Sequence, residues 1–148
     1  MRYFKILIVF SIILSCKKVK VSKVDLSTQT SEINLLISDV NKTGNIDSYE
    51  LLKGYLYLNG DYPTLLVVSK NMFEKYNYSN AAYEVYYSYF KIKNNDSITE
   101  NEINEAIEYL IKASKNGYER AKLQLENYNS KGLYVEKNNN TYVLKKKK

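Results

Sequence analysis

Glu105-Ala106-Ile107-Glu108-Tyr109-Leu110-Ile111-Lys112-Ala113 is the stretch on which the fold turns. Just ahead of it, Thr99 and Glu102 stand three apart, the spacing of a capping box in which each satisfies an amide of the other. Just behind it, Asn116-Gly117 supplies residues that end a helix. The spacing predicts one long helix between these signals. A further helix is expected from about Tyr118 to Ser130, stopped by Gly132.

Upstream the pattern stays helical. Ile33, Leu36, Ile37 and Val40 share one face of a short helix over Ser31–Val40, which Gly44-Asn45 breaks. Asp47 or Ser48 then suits the cap of a helix carrying Leu51, Leu52, Tyr55, Leu56 and Leu58. Asn59-Gly60-Asp61 ends it, and Pro63 fits the first turn of the next, which runs to about Tyr76. A strongly aromatic helix is expected over Asn80–Ile92, followed by a polar loop over Lys93–Ser97. One proline and no sustained alternation give an all-α domain over residues 31–137, preceded by a polar tether at 16–30 and followed by a basic C-terminal tail at 138–148.

Internal repetition sets the architecture. Gly44, Ser48 and Leu52 stand at spacing four and four, as do Asn77, Ala81 and Val85, and again Gly117, Ala121 and Leu125. A turn residue that tolerates a left-handed backbone is followed by a small residue where helices approach, then by an apolar core residue. The units are offset by 33 and 40 residues, the size of a helix pair.

The run Glu105–Ala113, with Gly117, Ala121, Leu125, Gly132, Val135, Lys137 and Asn138, resembles the Sel-one-like repeat, a relative of the tetratricopeptide repeat. Glu126 and Tyr86 stand where that family carries a small glycine. The resemblance implies a short right-handed helix-pair solenoid whose inner groove holds a peptide or protein. It places Tyr83, Tyr87 and Phe90 in that groove, with Tyr57 beside them. Tyr83, Tyr87 and Phe90 form one helical stripe, and Ala82, Tyr86 and Tyr89 a second. Either the groove or packing between neighbours on both sides accounts for such a helix.

At the N-terminus, Arg2 and Lys5 precede an apolar run from Ile6 to Leu14, and Ser15 precedes Cys16. That is the order of a secretory signal, and the run is about half the ~20 residues needed to span a bilayer. Ile13-Leu14-Ser15-Cys16 is similar to the lipobox of bacterial lipoproteins. The resemblance implies a signal peptide at 1–15, cleavage before Cys16, and a diacylglyceryl group on its sulfur. Lys17, rather than aspartate, follows the cysteine, which favours the outer membrane over the inner one. Cleavage leaves 133 residues, enough for one domain with a core.

The net charge of +6 is carried by the tails. From Val24 to Leu144 the balance reverses, 12 basic residues against 16 acidic. A nucleic-acid surface needs a basic patch on structured elements, so nucleic acid is excluded as a partner. Lys17, Lys18, Lys20 and Lys23 sit where they can meet anionic headgroups. With no histidine, one cysteine claimed by lipid, and five scattered glycines, neither a nucleophile–base pair nor a phosphate-cradling loop can be assembled. No enzymatic activity and no cofactor are expected.

One motif competes with this reading. Asp39, Asn41, Thr43, Gly44, Asn45, Asp47 and Glu50 fall at positions 1, 3, 5, 6, 7, 9 and 12 of an EF-hand calcium loop. The metal ligands would be Asp39, Asn41, Thr43, Asn45, Asp47 and Glu50. Against it, Gly44 and Ser48 already belong to the repeat spacing, and a second loop at Lys91–Glu102 has lysines where ligand oxygens belong. The expectation is a lipid-anchored envelope protein that binds a protein or peptide, for example as an immunity protein against a secreted toxin. The alternative is a calcium-binding envelope protein.

Overall fold

The computed structural model describes residues 26–92, 98–138 and 141–146. The described chain runs through α1 (Leu26–Thr43), α2 (Ile46–Asn59), α3 (Tyr62–Tyr76), α4 (Ser79–Ile92), α5 (Glu100–Lys115) and α6 (Glu119–Ser130), then β1 (Leu133–Asn138) and β2 (Thr141–Lys146). The protein is mostly helical, as its apolar periodicity requires.

Local chemistry fixes the helix starts. The Thr99 hydroxyl accepts the Glu102 amide at 3.3 Å while the Glu102 carboxylate accepts the Thr99 amide at 2.9 Å, so the capping box of α5 is formed in both directions. Asp61 caps α3 through the Thr64 amide at 3.1 Å, with Pro63 in the first turn. α2 departs from expectation: Asn45, not Asp47 or Ser48, is its cap, accepting the Ser48 amide at 3.0 Å. Helix α1 begins at Leu26, five residues inside the stretch read as tether.

The first residue of each repeat triplet adopts the same backbone. Gly44 (φ 67°), Asn77 (φ 54°) and Gly117 (φ 88°) all lie in the left-handed region, at the turns entering α2, α4 and α6. The small residues that follow, Ala81 and Ala121, are fully buried, and Leu52 and Val85 are buried one turn later. At Gly44 a Cβ would also run into the Tyr76 ring, so both backbone and space demand glycine there.

Each helix packs on its neighbours in sequence, most extensively α3 on α4 and α4 on α5. Contacts also skip one helix. On the odd side, α1 touches α3, and Lys70 of α3 pairs with Glu105 of α5 at 2.6 Å. On the even side, the Tyr57 hydroxyl of α2 donates to Glu84 of α4, and the hydroxyls of Tyr86 in α4 and Tyr128 in α6 lie 2.6 Å apart. The helices therefore form two rows, odd and even.

The core has two parts. Val40, Tyr49, Leu52, Leu56, Leu65, Val68, Met72 and Ala81 fill the first, and α4, α5 and Ala121 of α6 fill the second, with Phe73 packed against both. Leu52, Leu65, Ile107 and Leu110 are fully buried, each contributing roughly 1.5–3 kcal/mol of burial free energy.

The C-terminal end adds two short strands to this mostly helical protein, consistent with the all-α reading. Residues 133–138 and 141–146, read as the close of the last repeat and a basic tail, pair as antiparallel strands, Leu133 with Lys146 and Asn138 with Thr141. β2 lies on α5 and β1 on α6. Strands of six residues, one of them ending in lysines, offer too little alternation to be read from the chain. Their docking on two amphipathic helices selects the conformation.

Candidate functional site

Helix α4 carries the aromatic surface. Its buried stripe is Ala82, Tyr86 and Tyr89, while Tyr83, Tyr87 and Phe90 are only partly covered. Tyr57 at the end of α2, Tyr62 at the start of α3 and Tyr87 close a triangle of edge-on rings, with centroids 5.7, 6.1 and 6.2 Å apart. Towards α6, Tyr83 meets Tyr118 at 5.3 Å and Tyr86 at 5.8 Å, and Tyr86 meets Phe90 at 5.1 Å. Of the four groove residues expected from the sequence, the structure brings Tyr57 and Tyr87 together and sets Tyr83 and Phe90 in the second group.

Glu84 occupies the interior beside these rings, 2% exposed. Besides the Tyr57 hydroxyl, Lys53 of α2 stands 3.9 Å from it and also pairs with Glu50. The chain continues outward: Tyr78 donates to Glu50 at 3.0 Å, and Asn80 donates to Tyr78 at 2.9 Å. Burial raises the Glu84 carboxyl above the ordinary carboxylate range, against the Tyr57 hydrogen bond and the charges of Lys53 and Arg120. Burial and the Glu84 carboxylate raise the Tyr57 hydroxyl, and burial with Glu50 pushes Tyr78 up to about 12. These hydroxyls stay protonated at neutral pH. The Tyr57 ring is thus held in place by a buried carboxylate, its O–H turned inward, and the partly exposed rings present their faces.

A second network ties the odd row. Lys70 bonds Tyr89 at 2.8 Å as well as Glu105, and the Tyr109 hydroxyl donates to Glu74. Burial pushes Glu105 up, but hydrogen bonds from Lys70 and Tyr89 outweigh it and leave its carboxyl below the usual value.

The calcium-loop residues are placed differently. Asp39, Asn41 and Thr43 lie within α1, and α2 begins at Ile46, so a tight turn replaces a twelve-residue loop. The Asp39 carboxylate accepts the Ser48 hydroxyl at 2.5 Å and the Thr43 hydroxyl at 3.2 Å. Asn41 accepts from Asn71, Asn45 caps α2, and Glu50 takes Lys53 and Tyr78. Asp47 lies exposed in the first turn of α2. Among the described residues, no group of three or more His, Cys, Asp or Glu could hold a metal ion.

Cys16 and the signal segment lie outside the described residues. Among the described residues, no helix is long and apolar enough to cross a membrane. Glu84, Lys53, Tyr62 and Tyr118 were not singled out from the sequence. The available signal was Glu84 itself, one carboxylate inside the apolar run Ala81–Phe90. No family model, no curated protein and no solved structure matches this chain.

Proposed function

We propose that this protein is a lipid-anchored helical-repeat adaptor of the bacterial cell envelope that binds a protein partner on the tyrosine surface around α4. The observation that carries the reading is the row of partly exposed rings, Tyr57, Tyr62, Tyr83, Tyr87 and Tyr118, fixed on packed helices. Tyrosine offers rigid contact area and a hydroxyl at small entropic cost, which is why it anchors interfaces. The shared left-handed turns at Gly44, Asn77 and Gly117, and the two rows of helices, support a Sel-one-like solenoid. The Ile13–Cys16 motif supports the anchor, with the outer membrane as its site. Neutralising a secreted toxin is the specific role that best suits a small tethered binder.

Affinity capture from envelope and secreted fractions tests this reading, using the chain from Cys16 onward and a Tyr62→Ala/Tyr87→Ala variant. One stoichiometric partner, lost by the variant while its helical circular dichroism is unchanged, is expected. Retention of that partner by the variant would remove the tyrosine surface from the function.

A further inference from the structure

An apolar face lies on the first helix pair. One hydrogen bond and one close approach fix how α1 and α2 run past each other: Asp39 accepts the Ser48 hydroxyl, and the Glu32 carboxylate lies near enough to the Tyr55 hydroxyl to raise it. Leu35 lies between Glu32 and Asp39 on one helical stripe, and Leu51 lies between Ser48 and Tyr55 on the other. The two leucines are therefore neighbours across the α1–α2 seam, and Leu58 extends the stripe by two turns. They are 70%, 51% and 86% exposed, while Leu36 and Leu52, the next residues in the chain, point into the core. Gly54 stands on the same face with open space where a Cβ would be. A glycine inside a helix costs about 1 kcal/mol against alanine, and no neighbour among the described residues calls for it.

We infer that this Leu35–Leu51–Leu58 face rests on the lipid surface to which Cys16 is anchored, an inference that rests on the anchored reading given above. Reach and charge select lipid as the occupant. Only nine residues separate Cys16 from Leu26, where α1 starts, a span of at most about 35 Å. Leu35 lies about 14 Å further along the helix. Four of those nine residues are lysines, Lys17, Lys18, Lys20 and Lys23, which favour an anionic surface. Of the carboxylates beside the face, Asp39 accepts the Ser48 hydroxyl and Glu32 faces the Tyr55 hydroxyl, while Asp47, one turn before Leu51, is exposed at its end.

The chain contains no tryptophan and a single cysteine, so probe and attachment are both unique. The chain from Cys16 onward, which holds every described residue, is coupled through Cys16 to a maleimide-headgroup lipid. The vesicles are phosphatidylcholine and phosphatidylglycerol, with or without brominated acyl chains. Leu51→Trp, Leu58→Trp and, on α6, Leu123→Trp are compared; all three positions are exposed, so folding is spared, as circular dichroism checks. Emission from positions 51 and 58 is expected to shift to the blue and to be roughly halved by bromine, since such a face sinks about 5–10 Å into the headgroup boundary. Position 123 is expected to change in neither respect. Equal emission at all three positions on the vesicles overturns the inference, as does a blue shift at 51 and 58 that rises with protein concentration in the absence of lipid. Chemical coupling makes the result independent of whether cells lipidate Cys16, so failure of the anchor reading is seen separately, by lipid labelling in cells.

Discussion

The Tyr57 hydroxyl of α2 donates to the Glu84 carboxylate of α4, 27 residues further along the chain. This bond spans two helices of the even row that are not neighbours in sequence, and it places a buried charge beneath the aromatic surface. Lys53 balances that charge only at 3.9 Å, so burial keeps the upper hand.

The sign of the pH dependence follows from that balance. Raising the folded pKa of Glu84 above its ordinary value of 4.5 means that the native state holds the proton more tightly than the unfolded chain. Its ionised form therefore weakens the fold as pH rises above 4.5. Glu105 behaves oppositely: its lowered pKa gives stability that is present above 4.5 and lost as pH falls through the folded value. The melting temperature of the wild type relative to Glu84→Gln should fall as pH rises above 4.5, and relative to Glu105→Gln it should rise from acid to neutral pH. Differences that do not vary with pH would contradict both assignments.

Tyr49 and Ser69 are fully buried, and their hydroxyls lie 2.8 Å apart. Tyr49→Phe leaves the Ser69 oxygen without that partner in the core and should cost about 1–2 kcal/mol. Chemical denaturation with an unchanged slope measures it; an effect near zero would mean that Ser69 finds another partner.

The left-handed turns give a matched pair of substitutions. Gly44→Ala forces an L side chain into a left-handed backbone and into the Tyr76 ring, and the backbone alone should cost about 1–2 kcal/mol. Asn77→Gly keeps the same turn and should stay within about 0.5 kcal/mol of wild type, because glycine tolerates that region freely. Equal losses at the two positions would mean that the turns are not equivalent.

Calcium should leave the melting temperature where it is, because Asp39, Asn41, Asn45 and Glu50 already face partners within the protein. A rise at millimolar calcium that Asp39→Ala abolishes would restore the loop reading through ligand linkage.

Much of the fold was legible because it is written in local chemistry. Thr99 with Glu102, Pro63 after Asp61, and the recurring Gly44, Asn77 and Gly117 each fix a few backbone angles without outside help. What escaped depends on distant contacts. The pairing of β1 with β2 is selected by docking on α5 and α6, and the calcium spacing was matched by residues that a helix carries just as well. The aromatic helix was visible as a run of rings. Which stripe was covered, and that Glu84 lay inside, depended on α2, α3 and α6 arriving around it.

Site-specific photo-crosslinking in intact cells tests the central claim most directly. A photoreactive phenylalanine analogue replaces Tyr62 or Tyr83 on the tyrosine surface, or Leu123 on the exposed face of α6. The account predicts one crosslinked protein of the envelope or secreted fraction from positions 62 and 83, and none from 123. Crosslinks from 123 but not from 62 and 83, or none from any position, would contradict a partner-binding tyrosine surface.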